Sequence, residues 1–140
     1  LTMHDVTMHD KGSRYLCSSI SFCAHLERLE LKGITLHDGV LDLSNMTNLT
    51  FLKLNNVTMS EECSRSLCTS ISARTHLEGL FLLHIRLLDG VLDLTGLSGL
   101  VILYIVDVTM SAECKQTLQE SFKQCCKRVG WKVERCRVEA

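Results

Sequence analysis

At 140 residues, with 15 Lys plus Arg set against 16 Asp plus Glu, the chain carries no electrostatic footprint for a phosphate backbone, which excludes nucleic acid as an expected partner. It has no proline, no Gly/Ser-rich tract and no low-complexity run, so residues 1–140 read as one domain without an internal linker. No apolar run approaches the roughly 18 residues needed to span a bilayer, and no membrane span is expected.

The chain opens on Leu1-Thr-Met3, which reads as the tail of a strand whose front half lies upstream, so the chain is expected to be a fragment. Val6-Thr-Met-His-Asp10 then returns as Val57-Thr-Met-Ser-Glu61 and as Val108-Thr-Met-Ser-Ala112, a period of 51 residues, with 25 of 51 positions identical between 6–56 and 57–107. Self-similarity at a fixed period marks a stack of repeats rather than one compact core. Gly12, Leu16 and Ile20 stand at i, i+4, i+8, as do Cys63, Leu67, Ile71 and Cys114, Leu118, Phe122, which predicts an amphipathic helix once per period. Ser60 and Ser111 sit where an N-cap is needed, followed by Glu61-Glu62 and by Glu113, whose charge suits a helix start.

Each helix is followed by a strand. Leu26-Glu-Arg-Leu29-Glu-Leu31, Leu49-Thr-Phe-Leu52-Lys-Leu54, Leu77-Glu-Gly-Leu80-Phe-Leu82 and Leu100-Val-Ile-Leu103-Tyr-Ile105 all fit L-x-x-L-x-L, with Ile at one last position, and start 23, 28 and 23 residues apart. This is the strand pattern of a leucine-rich repeat. The short units carry Asp38-Gly-Val-Leu-Asp-Leu43 and Asp89-Gly-Val-Leu-Asp-Leu94, which leave about a dozen residues between strands, too few for a typical helix with its turns. Val129-Gly-Trp-Lys-Val133 falls where the next strand is due, with Trp131 on the Leu80 position, Val133 on the Leu82 position and Arg128 replacing the first leucine. Residues 111–140 therefore read as a C-terminal cap. The expected fold class is α/β: a right-handed leucine-rich repeat solenoid of about five repeats, with a curved parallel sheet on the concave side and helices alternating with short non-helical turns on the convex side.

If the second and third leucines of each motif point inward, the outward triplets are Arg28, Glu30, Lys32; Phe51, Lys53, Asn55; Gly79, Phe81, Leu83; and Ile102, Tyr104, Val106, with Gly130, Lys132 and Glu134 closing the row. The first strand offers only charges and is expected to be a solvated rim. Phe81, Leu83, Ile102, Tyr104 and Val106, joined by Phe51, form an apolar patch on the order of several hundred Å², the size at which a binding surface is expected. Covering by the parent chain or another copy, and plain lateral packing, are the alternatives.

Chemistry is not expected. Asp38, Asp42, Asp89 and Asp93 recur by repeat and suit turns, while His25 and His76 recur just before a strand leucine and read as structural. Nothing sets a Cys or Ser nucleophile beside a His, the Asp-Gly pairs are turns rather than a phosphate cradle, and no metal or cofactor is predicted. Cys17 and Cys68 are repeat equivalents, as are Cys63 and Cys114, so these read as buried thiols filling recurring positions, with Cys125, Cys126 and Cys136 left as thiols to check for pairing. A reducing, cytoplasmic setting follows. The sequons Asn45-Met-Thr, Asn48-Leu-Thr and Asn56-Val-Thr point the other way and would matter in a secreted chain.

With its alternating spacing and a helix in the long unit, the chain resembles leucine-rich repeats of the ribonuclease-inhibitor kind. More narrowly, Asp89-Gly-Val-Leu-Asp-Leu94 followed by a strand and Val108-Thr-Met-Ser-Ala-Glu-Cys114 resembles the C-terminal repeats of NACHT-type NOD-like receptors, especially expanded invertebrate ones. The resemblance implies a non-enzymatic module of innate immunity that contacts a protein or microbial ligand, or holds an adjoining NACHT-type domain inactive. An inhibitor or adaptor of the ribonuclease-inhibitor kind and an extracellular receptor ectodomain remain as other readings. One departure stands out: where many such repeats place an Asn after the strand, this chain has Val6, Ile34, Val57, Ile85 and Val108, with Thr7, Thr35, Thr58 and Thr109 beside them and Arg86 breaking that series.

Overall fold

The computed structural model describes residues 1–5, 10–125, 131–134 and 137–138. Its main sheet follows from the alternating leucines. Strands β1 (Thr2–His4), β2 (Arg28–Lys32), β4 (Phe51–Asn55), β6 (Gly79–Leu83), β8 (Ile102–Val106) and β10 (Trp131–Glu134) lie side by side in that order, every pair parallel. Register aligns the motifs: Leu29 pairs with Leu52, Leu52 with Leu80, and Leu80 with Leu103. Leu29, Leu31, Leu52, Leu54, Leu80, Leu82, Leu103 and Ile105 are at most 1% exposed, so one face of the sheet is core across β2, β4, β6 and β8. At the C-terminal edge Trp131 pairs with Leu103 and Val133 with Ile105, the register expected of the cap strand. The side chains of Cys125, Lys132 and Glu134, and residues Cys126, Gly130 and Cys136, lie outside what the structure describes.

Three helices occur among the described residues, α1 (Asp10–Ser21), α2 (Glu61–Ser72) and α3 (Ala112–Cys125), so the chain is α/β with a parallel central sheet. Ser60 caps α2 by accepting the Cys63 N–H at 3.2 Å, and Ser111 accepts the Cys114 N–H at 3.1 Å. Each cap satisfies a donor that the helix itself cannot. Cys63, Leu67 and Ile71 are buried as their spacing predicts, but so are Ser64, Cys68 and Ser70. The wider buried face has polar anchors: the Ser64 hydroxyl donates to the Asp89 carbonyl at 2.7 Å, and the Ser70 hydroxyl receives the Leu43 N–H at 3.3 Å while donating to Asp42 at 3.2 Å.

Between strands, residues 37–50 and 88–101 contain no helix. Asp42 accepts the Ser44 N–H and hydroxyl at 2.8 and 2.9 Å, and Asp93 accepts those of Thr95 at 2.9 and 2.7 Å, so both aspartates close local turns. Those contacts hold the Asp42 carboxyl below its usual range, the Ser44 N–H first among them. The Asp-Gly turns dock straight onto the helices that precede them. Arg14 pairs with Asp38 and Arg65 with Asp89, while the Ser13 hydroxyl donates to the Asp38 carbonyl at 2.7 Å as Ser64 does to Asp89. Gly39 and Gly90 have φ of +110° and +96°, and a Cβ on either would meet the Cα of Arg14 or Arg65 at 2.9 or 2.8 Å. Only glycine fits both the backbone conformation and the approach.

The missing post-strand Asn is resolved by backbone. Asp5, Gly33, Asn56, His84 and Asp107 each take φ between 48° and 64° immediately after a strand. Their N–H groups climb the stack: Gly33 donates to the Asn55 carbonyl at 3.0 Å, Asn56 to Leu83 and His84 to Val106 at 2.9 Å each. The left-handed residue turns the chain, so Ile34, Val57, Ile85 and Val108 can point into the core. A second ladder follows from backbone too, with the Thr58 N–H on the Ile34 carbonyl and the Thr109 N–H on Ile85, both at 3.0 Å, rather than from the threonine hydroxyls. It pairs β3 (Thr35–Leu36) with β5 (Thr58–Met59), and β7 (Arg86–Leu87) with β9 (Thr109–Met110) and β11 (Arg137–Val138). The interruption between β5 and β7 falls where Arg86 replaces threonine.

Candidate binding face

The face of the main sheet opposite the core carries three rows of side chains, set by strand register. They are Arg28, Phe51, Gly79, Ile102; then Glu30, Lys53, Phe81, Tyr104; then Lys32, Asn55, Leu83, Val106. All six residues expected to bind a partner, Phe51, Phe81, Leu83, Ile102, Tyr104 and Val106, therefore share one face of three adjacent strands.

Their arrangement is tighter than alternation alone implies. The Phe51 and Phe81 ring centroids are 5.1 Å apart at 35°, and Phe81 and Tyr104 stack at 5.1 Å and 4°. Phe51 sits in the first row and Phe81 in the second, so a diagonal contact has to be made. Gly79 makes it. It faces Phe51 in register with no side chain, and a Cβ there would lie 2.8 Å from the Phe51 Cδ2, so the ring occupies the space a side chain would take. On the far side the Arg28 guanidinium lies 3.7 Å from the Phe51 centroid while pairing with Glu30. Each ring pair contributes about 0.5–1.5 kcal/mol beyond area burial, and an exposed cation over a ring about 0.5–1 kcal/mol.

Arg28 stays exposed, as expected of a solvated rim, and is also the first rung of an Arg28, Phe51, Phe81, Tyr104 series that crosses four strands. The rings also shield one another, so the patch is narrower than five open side chains: Ile102 and Tyr104 are 40% and 37% exposed, whereas Phe51, Phe81, Leu83 and Val106 are half-buried. The role of Gly79 was missed. Its signal was available, because the 28-residue step places the only outward glycine of these four strands opposite Phe51.

Elsewhere, the recurring cysteines pair in space rather than filling isolated positions. Cys17 hydrogen-bonds Cys63 and Cys68 hydrogen-bonds Cys114, joining each helix to the next through fully buried thiols. Within each pair the bond to Cys63 or Cys114, with burial, pushes Cys17 and Cys68 up. The same bond lowers Cys63 and Cys114 to about 7, with burial opposing it and the Leu41 and Leu92 N–H groups assisting. All four are free, as is the exposed Cys23. Iodoacetamide added to folded protein is expected to label Cys23 within minutes and to reach these four only on unfolding; mass spectrometry of timed digests reads the order. Equal labelling of Cys17 and Cys23 would mean that the helices do not cover these thiols.

His25 and His76, read as structural from their recurrence before a strand leucine, are both exposed. His76 lines an open groove of about 1010 Å³ beside the strand starts, with Glu27, Asn48, Thr50, Arg74 and Glu78. Arg74 is committed there: its Nη1 donates to the carbonyls of Leu43 and Ser44 at 3.2 Å each and ties the end of α2 to the preceding unit. His84 stands 3.3 Å from the Asp107 carboxylate at the left-handed turns. Among the described residues no helix is long and apolar enough to cross a membrane. No known protein family, curated protein or solved structure matches the chain.

Proposed function

We propose that the chain is a leucine-rich repeat solenoid and serves as a non-enzymatic, protein-interaction and ligand-sensing module of a NOD-like innate immune receptor. Its concave sheet face recognises a protein or microbial ligand, or holds an adjoining NACHT-type domain inactive. The observation that carries this is the ring series Phe51, Phe81, Tyr104, flanked by Ile102, Leu83 and Val106 on a sheet face where Ile102 and Tyr104 stay open to solvent. An apolar, ordered and open face is suited to burial against a partner, at about 25 cal/mol per Å² before the costs of association. Free thiols in the core fit the reducing cytoplasm of such a receptor.

The receptor class is tested by the reading frame upstream of Leu1, where a NACHT-type module is expected and a secretory signal peptide would overturn the assignment. The face is tested with a photo-crosslinking residue placed at Tyr104 and, as a control, at Ser66 on α2. One discrete adduct is expected from position 104 in cells and none from 66. Phe81→Asp with Tyr104→Asp is expected to abolish that adduct, read from position 102, while circular dichroism keeps its native shape and stability falls by no more than about 1–3 kcal/mol, the loss of the two ring contacts. Unfolding of that variant would place the two rings in the core and overturn the surface.

A further inference from the structure

We infer that the partner segment is acidic: an extended polypeptide that crosses β2 to β8 with carboxylates at its end over β2 and β4 and apolar side chains at its end over β6 and β8. This rests on the reading of the open sheet face as a recognition surface and adds the chemistry of what lies on it.

Charge is the first ground. The outward positions of β2, β4, β6 and β8 hold three cations, Arg28, Lys32 and Lys53, against one carboxylate, Glu30, on a chain whose net charge is −1. The face is thus opposite in sign to the molecule around it. Its carboxylate is also occupied, because Glu30 is held by Arg28. Lys32 and Lys53 make no ion pair among the described residues and stand one strand apart on the second and third rows. Two ammonium groups at one end of an apolar strip attract a partner whose carboxylates lie at one end of its apolar groups.

Ring orientation is the second ground, independent of the first. Parallel rings with centroids 5.1 Å apart, as Phe81 and Tyr104 are, cannot lie side by side in one plane and must overlap face on face with an offset. The Arg28 guanidinium covers the outer face of Phe51. One face of Phe51 is thus covered by the guanidinium and the facing sides of Phe81 and Tyr104 cover each other, which leaves ring edges among the contact sites for a partner. An aromatic ring is negative on its face and positive at its edge, so the edges prefer carbonyl and carboxylate oxygens to cations. The Tyr104 hydroxyl adds a donor at the exposed end of the series. Three strand spacings of about 4.8 Å make a track of roughly 14 Å, the length of about four extended residues. That suits a short linear segment.

The experiment uses the whole chain and three fluorescein-labelled peptides, Glu-Glu-Glu-Glu-Leu-Phe-Leu, its Gln-for-Glu counterpart and its Lys-for-Glu counterpart, followed by fluorescence polarisation. The Glu peptide is expected to bind roughly tenfold or more tightly than the Gln peptide at low salt, to lose most of that advantage at about 1 M salt, and the Lys peptide to bind least. Lys32→Glu with Lys53→Glu should erase the preference, and Tyr104→Ala should weaken Glu and Gln peptides alike. Equal binding of the Glu and Gln peptides, lost on Tyr104→Ala, overturns the acidic partner and leaves the recognition face standing. Glu-peptide binding that ignores Tyr104→Ala places the peptide elsewhere and overturns both. No binding by any peptide overturns the acidic assignment, while the crosslink at position 104 decides the face by itself.

Discussion

Gly90→Ala is expected to destabilise the domain by roughly 2–4 kcal/mol, a large share of the 5–15 kcal/mol that holds a typical domain folded. Two costs combine. At φ +96° an alanine is strained whatever surrounds it, and its Cβ would also sit 2.8 Å from the Arg65 Cα and 3.1 Å from the Cys68 Cβ. Neither neighbour is the free end of a side chain, so the turn has to lift off α2. The ion pair of Arg65 with Asp89 and the Ser64 bond to the Asp89 carbonyl would lengthen with it. Urea titration followed by far-UV circular dichroism reads the loss as a lower midpoint at constant slope. Gly39→Ala should lose about as much, since its Cβ would meet the Arg14 Cα at 2.9 Å. A midpoint within about 0.2 M of the parent for either variant would show that the turns do not dock on the helices as described.

Leu80→Ala is expected to cost about 2–5 kcal/mol, the range for emptying a leucine-sized space in a closed core. Leu80 is fully buried and lies in register between Leu52 and Leu103, both equally buried, so three adjacent strands lose contacts at once. Ile102→Ala, on the opposite face and 40% exposed, should change stability by no more than about 0.5–1 kcal/mol. The contrast is the useful quantity. Comparable losses from Leu80→Ala and Ile102→Ala would mean that both faces of the sheet are buried, and the binding face would disappear with that result.

Much of this architecture could be read in advance because the physics that sets it is periodic. Alternation in Leu29, Leu31, Leu52 and Leu54 determines which side of each strand is core, and the 51-residue return of Ser60 at Ser111 marks where helices start. The six residues expected to meet a partner fell on one face for the same reason: side chains two apart on a strand cannot point to opposite sides. What escaped was geometry between strands. Phe51 reaches Phe81 only because Gly79 vacates a position in a neighbouring unit, and no spacing within one strand signals that. The thiol pairs escaped likewise, since Cys17 and Cys63 lie 46 positions apart and their repeat equivalence drew attention to sameness rather than contact. The turn after each strand could not be deduced from Val57 or Ile85, because the residue that bends the chain precedes them and varies freely among Asp, Gly, Asn and His. Any residue that accepts φ near +50° serves there, so the sequence carries little trace of the requirement.

The anchoring of each Asp-Gly turn to the helix before it has an evolutionary corollary. Arg14 with Asp38, and Arg65 with Asp89, join partners 24 residues apart across the boundary between a long unit and the short unit that follows. Removing one unit alone would orphan a helix or its turn, whereas cutting out or duplicating 51 residues keeps each Arg–Asp pair together. The paired unit is the smallest segment that carries a helix together with the turn docked on it.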